Sequence, residues 1–224
     1  MKAVIFDMFE TLITHFEAPL YMGKQIAADI GIDEAKFREI WDITDDARTL
    51  GYRTLEDVIE EILRVNDRYS AELFDRIIAK RKQSKIECFN HLHPGILPML
   101  RSLKERDIRI GLVSNCYFEE SDVIRRSVLF PYFDSVCMSC EIGVKKPDTA
   151  IFARCMNELS VQPQECLYVG DGGSFELETA RFLDMHPLQA VWYLKDGVRQ
   201  PVGRKAEFPQ AETPMDVAAA LDRH

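Results

Sequence analysis

Short apolar or β-branched runs, each closed by a polar residue or a glycine, recur along the chain at positions 3–6, 108–113, 135–138, 167–169 and 188–194. Runs of that length with those flanks predict parallel strands buried on both faces. Apolar positions repeat at helical spacing over 94–106, 119–129, 149–159, 175–185 and 214–221. This alternation predicts an α/β fold, a doubly wound parallel sheet of Rossmann-like type. Segment 17–88 breaks the rhythm: it holds no convincing strand and reads as successive amphipathic helices, among them 33–48, 54–65 and 70–82. Thr54 with Asp57 three residues on marks a helix start, and Gly51 the end of the helix before it. The expected organisation is therefore an α/β core of residues 1–16 and 89–224 with an inserted helical cap domain, 17–88, over the carboxyl edge of the sheet. In an open α/β sheet that edge is where ligands bind. Residues 202–214, polar and containing proline, read as a surface loop.

Charge and composition exclude more than they assign. The 28 Lys and Arg against 37 Asp and Glu leave a net charge of −9, the wrong sign for coating nucleic acid. A small anion needs only a few local cations or a metal, so a phosphorylated small molecule stays open as a partner. The amino terminus has no signal-peptide core and no run is long enough to span a bilayer, so the expectation is a complete cytoplasmic protein without a membrane partner. The six cysteines are dispersed through apolar segments, as reduced buried thiols would be. Cys137 and Cys140 form a C-x-x-C, but no second pair or nearby histidine supplies a zinc set, and the pair closes a β-rich stretch instead of opening a helix. His91, His93, His186 and His224 have no metal spacing either.

Chemistry concentrates at four predicted strand ends. Asp7 closes the first strand, with Thr11 four residues on; Ser114-Asn115 closes the second; Lys146 stands immediately before Pro147; and Gly170-Asp171-Gly172-Gly173 leads towards Glu176. Taken singly, each is a common turn, cap or solvated lysine. A glycine-rich turn lets backbone approach a ligand, and carboxylates beside it suit a hard cation such as Mg²⁺.

Together and in this order, the four sites resemble the haloacid dehalogenase-like hydrolase superfamily, and the resemblance includes the helical insert, which looks like that family's small cap. Ordered motifs are far more specific than one glycine pattern. The resemblance implies a nucleophile at Asp7, forming an aspartyl-phosphate that water hydrolyses. It also implies phosphoryl binding by Ser114 and the Asn115 backbone, with Thr11 at the same mouth of the sheet, and charge compensation by Lys146. Asp7, Asp171, Glu176 acting through water, and the backbone carbonyl of Phe9 would hold Mg²⁺. Without such cations, a carboxylate attacking a phosphate meets repulsion of ~4 kcal/mol per charge pair at 4 Å in an effective dielectric near 20.

Phe9 departs from the family pattern, which places a second aspartate there as general acid and base. Losing that group, commonly worth ~10²–10⁴-fold, predicts a slow or leaving-group-selective phosphatase. Glu10, which stands where the family usually has glycine, reads as a polar hinge residue, and His15 as a surface or hinge histidine. An aromatic residue at this position also resembles the superfamily's metal-independent 2-haloacid dehalogenases, which makes dehalogenation an alternative; Asp171 and Glu176 weigh against it. A catalytically weak binding protein is a second alternative. Arg48, Tyr52 and Arg53 flank a helix turn of the cap, from which the two arginines could reach substrate, although pairing with neighbouring carboxylates such as Asp45, Asp46 and Glu56 is the plainer role. The chain would be a monomer or dimer.

Overall fold

The structure, a computed structural model, describes residues 1–194 and 202–222. His224 lies outside them. Strand β1 (Ala3–Phe6) leads into five helices without an intervening strand: α1 (Gly23–Ile30), α2 (Glu34–Trp41), α3 (Asp45–Thr49), α4 (Leu55–Val65) and α5 (Ala71–Cys88). The alternating part follows as α6 (Ile96–Glu105), β2 (Arg109–Ser114), α7 (Phe118–Arg126), β3 (Ser135–Met138), α8 (Ser139–Ile142), α9 (Thr149–Leu159), β4 (Cys166–Gly170), α10 (Glu176–Phe182), β5 (His186–Ala190), β6 (Gln210–Ala211) and α11 (Met215–Leu221).

The sheet runs β3-β2-β1-β4-β5-β6, and every pairing is parallel. Successive side chains of β1 point to opposite faces. Val4 and Phe6 enter an apolar cluster with α6, Ile124 of α7 and α11, whereas Ala3 and Ile5 enter one with α9 and α10. Helices thus cover both faces of a doubly wound sheet, and β1 lies at its centre with β2 and β4 beside it. Asp7, Ser114 and the loop after Gly170 consequently emerge side by side.

Helices α1 to α5 enclose an apolar cluster of their own, built on Ile26, Phe37, Ile59, Ile62 and Ile77. Thr54 caps α4 through a reciprocal box with Asp57, and Ser70 caps α5 through Leu73 N. The expected helix 33–48 is broken into α2 and α3. Thr44 Oγ1 donates to the carbonyls of Ile40 (2.8 Å) and Trp41 (3.1 Å), which holds the turn between them by side-chain competition for the last carbonyls of α2. Gly51, at φ +77°, ends the second piece, and a Cβ there would meet the Cys140 carbonyl at 2.0 Å.

Two other expectations shift and that for the cysteines holds. The strand expected at 188–194 is His186–Ala190. Residues 202–214 are not all surface loop, because Gln210–Ala211 pair with β5 as a short edge strand and Phe208 and Ala211 are buried. All six cysteines are free and buried. Cys137 belongs to one face of the sheet and Cys140, within α8, to the other, which keeps the C-x-x-C thiols from acting as a pair.

Candidate active site

A cavity of about 530 Å³ opens between the carboxyl edge of the sheet and the helices α1 to α5, lined by Asp7, Lys146, Asp171 and Glu176 on the core side. Asp7 follows β1 directly and is buried, its backbone N–H donating to the carbonyl of Val169 at 2.9 Å. Lys146 Nζ donates to Asp7 Oδ1 at 2.6 Å and to Glu176 Oε2 at 2.5 Å. Asn115 fixes this lysine from behind: its Oδ1 accepts from Lys146 N at 2.8 Å and its Nδ2 donates to the Lys146 carbonyl at 3.0 Å. Glu176 also accepts from the Tyr168 hydroxyl at 2.9 Å and from Gly172 N at 3.0 Å. A Cβ at Gly170 would lie 2.1 Å from Glu176 Oε1, so glycine there is what admits that carboxylate.

Two carboxylates share one ammonium, and a third stands close by. Ligand oxygens of Asp7, Asp171 and Glu176 lie within 4.8 Å of one another. Burial, opposed by Lys146 and aided by Glu176, pushes the Asp7 carboxyl up to about 7. Burial, then Glu176 and Asp7, pushes Asp171 up to about 8. Burial also opposes charge on Lys146, but Asp7 and Glu176 outweigh it and hold the ammonium above its ordinary value. The cluster is short of positive charge. Both oxygens of Glu176 accept from protein donors, so it braces Lys146 and the glycine loop before it serves any ion. Asp171 accepts through Oδ1 alone, from Gly173 N, and Asp7 from Lys146 and the Met8 N–H; the two are a hard-oxygen donor pair of the kind Mg²⁺ takes alongside waters and substrate.

Two more expected residues sit at adjoining strand ends. The hydroxyls of Ser114 and Thr11 are buried without a hydrogen-bond partner among the described residues. Orphaned buried hydroxyls call for an explanation, and an oxygen-rich ligand at the strand ends is one. The Thr11 carbonyl accepts from Trp192 Nε1 at 2.8 Å, tying this loop to the segment after β5.

The opposite wall is a second ionic network. Phe9 stacks on His15 at 4.8 Å between ring centroids and 15° between planes, so His15 is a half-buried wall residue. Its backbone N–H donates to Glu10 Oε1 at 2.9 Å, while Thr14 Oγ1 donates to Glu10 Oε2 at 2.6 Å. Those bonds hold Glu10 at φ +57°, a conformation glycine adopts without strain. Lys85 Nζ lies 2.9 Å from His15 Nε2 and 2.6 Å from Glu120 Oε1. Arg81 Nε donates to Glu119 Oε1 at 3.4 Å, and its Nη1 to the Tyr21 carbonyl at 3.0 Å. Burial raises Glu120, but Lys85 and Arg81 outweigh it and hold it at about 2. Burial, then Lys85, lowers His15.

The two cap arginines do not join the cavity. Arg48 is 1% exposed, its guanidinium lying 3.8 Å from the Trp41 ring centroid and 4.5 Å from that of Tyr117. Cation–π contact takes the place of hydrogen bonds at its Nε and Nη1. Arg53 pairs with Glu61 at 2.6 Å, on a separate surface formed with Tyr52 and Arg64. Sequence reasoning missed Arg81, Lys85, Glu120, Tyr117 and Tyr168. Lys85 lies past the expected end of its helix at 82, and a buried charge leaves no trace in an amphipathic pattern.

The sheet edge thus carries a buried carboxylate beside a lysine, two unpartnered hydroxyls and a second carboxylate with a free oxygen. A family profile described as haloacid dehalogenase-like hydrolase matches residues 1–183. A glyceraldehyde 3-phosphate phosphatase of Methanopyrus kandleri is 29% identical over 189 residues, 76% of this chain and 76% of its own. Among solved structures, a HAD phosphatase from Thermococcus onnurineus aligns with TM-score 0.64 at 19% identity, covering 99% of this chain and 98% of its own. A 2-haloacid dehalogenase from Pseudomonas syringae aligns with TM-score 0.70 at 18% identity, covering 100% and 99%. Both structural likenesses speak to fold alone.

Proposed function

This chain belongs to the haloacid dehalogenase-like hydrolase family and is a hydrolase, and from that premise we propose that it is a Mg²⁺-dependent phosphatase of small phosphorylated molecules that works through an aspartyl-phosphate at Asp7. The observation that carries this reading is the carboxylate cluster. Asp7, Asp171 and Glu176 converge within 4.8 Å around a single ammonium, an arrangement that metal-free displacement of halide from carbon has no use for. The phosphatase name of the Methanopyrus relative agrees with it.

In this reading Asp7 and Asp171 would hold the metal, with the Phe9 carbonyl completing the protein ligands. Bound Mg²⁺ would supply positive charge to the phosphoryl oxygens and to the crowded carboxylates. Lys146, locked by Asn115 and Glu176, orients Asp7 and offsets the charge of nucleophile and phosphate. Ser114 and Thr11 offer their unpartnered hydroxyls to phosphoryl oxygens. Asp7 attacks phosphorus in line, and water then releases phosphate from the acyl phosphate. Helices α1 to α5 act as the cap, closing the cavity against bulk water. Arg53 has no part, and Arg48 stiffens the wall by holding Trp41 against Tyr117.

The test is phosphate release from a panel of phosphate esters and anhydrides with Mg²⁺ or with a chelator, using Asp7→Asn as control. Release that needs both Asp7 and Mg²⁺ is expected. Activity equal to the control on every phosphate, together with metal-independent halide release from 2-haloacids, would make the protein a dehalogenase instead.

A further inference from the structure

On the cap-side wall of the cavity the carboxylates and the imidazole offer no proton to a leaving group, which leaves the ammonium of Lys85, its charge favoured by Glu120 at 2.6 Å, as the N–H donor there. Three carboxylates line the cavity away from the Asp7–Asp171 cluster, and each faces donors already. Glu10 accepts from Thr14 and from the His15 backbone, Asp45 from the Tyr117 hydroxyl at 2.5 Å, and Glu120 from Lys85 and from Tyr117 N at 3.0 Å. A carboxylate that only accepts has no proton to give. The Tyr117 proton is committed to Asp45. His15 Nε2 faces the Lys85 ammonium, which makes that nitrogen an acceptor, and its Nδ1 faces Glu10 Oε1 at 3.4 Å. Phe9 fills the remaining wall.

Cations are distributed differently. Lys146 is shared by Asp7 and Glu176, Lys145 pairs with Asp46, and Arg38 pairs at the surface with Glu34 and Asp42. Lys85, 5% exposed and 5.8 Å from the Phe9 ring centroid, spends two of its three N–H donors on Glu120 and His15. Its third has no protein acceptor among the described residues, in a side chain that lines the same cavity as Asp7.

Resting on the phosphatase reading above, we infer that the substrate is a phosphoric anhydride, an acyl phosphate or a pyrophosphate-type compound, and that Lys85 receives its departing anion. An alkoxide leaves only with a proton, whereas a carboxylate or phosphate leaves as the anion it already is at neutral pH. An Asp7 oxygen attacks phosphorus, the bond from phosphorus to the bridging oxygen breaks, and the electron pair departs on that oxygen with no proton moved. Water then adds to phosphorus, the Asp7 carboxylate is released, and the water protons stay on orthophosphate or pass to solvent. Lys85 meets the first product through its spare N–H.

The experiment compares kcat/KM of the Mg²⁺-loaded wild type for acetyl phosphate, inorganic pyrophosphate and glycerol 1-phosphate, then repeats the series with Lys85→Met and Lys85→Arg. The anhydrides are expected to exceed the alkyl ester by ~10²–10⁴, the range that proton transfer commonly supplies. Whichever anhydride leads identifies the leaving acid. Lys85→Met should narrow the gap by about tenfold or more and Lys85→Arg should restore it, since a charge-assisted hydrogen bond is worth about that much. Alkyl ester hydrolysis within tenfold of the anhydrides, or a Lys85→Met loss equal for all three substrates, would overturn the assignment while leaving the phosphatase standing. Absence of Asp7-dependent phosphate release from all three would instead remove the phosphatase reading beneath it. The wild-type series needs no variant to fold.

Discussion

The two walls of one cavity are both buried ionic networks, yet they are built to different ends. On the core wall, three carboxylates crowd one lysine and two hydroxyls lack partners among the described residues. On the cap wall, Arg81 and Lys85 of α5 meet Glu119 and Glu120 of α7, two cations against two carboxylates, with Glu120, which faces the cavity, held by Lys85 and Glu119 Oε2 left without a partner among the described residues. Removing one partner from either network leaves an uncompensated buried charge, so both are costly to break. Only the core wall stays short of positive charge, as a site that must take up a cation and an anion would be. Burial by itself does not mark a functional charge, and neither does one unpaired atom, since Arg48 Nε and Nη1 are buried without hydrogen bonds too; the core wall is set apart by carboxylates that outnumber their cation at the mouth of the sheet.

Breaking the core wall should have the largest effect. Lys146→Met strands Asp7 and Glu176 together, and we expect a loss of ~3–5 kcal/mol in stability by denaturant titration, with phosphate release down by ~10³ or more. Unchanged activity would mean that the lysine is structural only. Changing the cap side should help rather than harm: Phe9→Asp puts a proton-transfer group beside the nucleophile, and kcat for alkyl phosphates is expected to rise by ~10²-fold. An unchanged rate would show that a proton donor was already present.

A smaller effect separates the walls by their need for a cation. Asp171 has a folded value of about 8 against an ordinary 3.8. The folded protein therefore keeps a proton that the unfolded chain loses, and stability falls as pH rises from near 4 towards 8. On the proposed reading, Mg²⁺ would replace that proton. It is expected to raise Tm by several degrees above pH 8 and little near pH 5, where the proton is held, and Asp171→Asn should abolish the difference in thermal melts. An equal Mg²⁺ effect at both pH values would place the ion elsewhere. The smallest effect belongs to Arg53→Ala, which removes a surface pair with Glu61. We expect a change within ~0.5 kcal/mol and activity within twofold, and a large rise in KM would return Arg53 to the substrate.

What the sequence makes legible follows the same division. Asp7, Ser114 and Asp171 stand where apolar runs end, so strand periodicity delivers them to one edge, whereas Lys146 comes from the loop after α8 and is brought there by Asn115; Thr54 and Ser70 announce α4 and α5 by their own chemistry. The core topology and the core wall were readable for that reason. The cap wall was not: Lys85, Arg81 and Glu120 are charged residues pointing inward, which hydrophobic periodicity reads as solvated faces. The kink between α2 and α3 carries no Gly or Pro and depends on Thr44 reaching back to Ile40 and Trp41. Arg48 follows the plainer of its two expected roles, lying 3.5 Å from Asp45, while the rings of Trp41 in the preceding helix and of Tyr117 from the core bury it, a contact that hydrophobic periodicity does not show.

The most direct test of the whole reading is chemical trapping at the nucleophile. The protein would be incubated with acetyl phosphate and Mg²⁺, quenched in acid, digested, and the peptide carrying Asp7 weighed by mass spectrometry. We predict a phosphoryl group on Asp7 that forms only with Mg²⁺ and disappears on chase with excess chelator and water. An unmodified Asp7 during active turnover, or a 2-hydroxyacyl ester formed there from a 2-haloacid without metal, would contradict it.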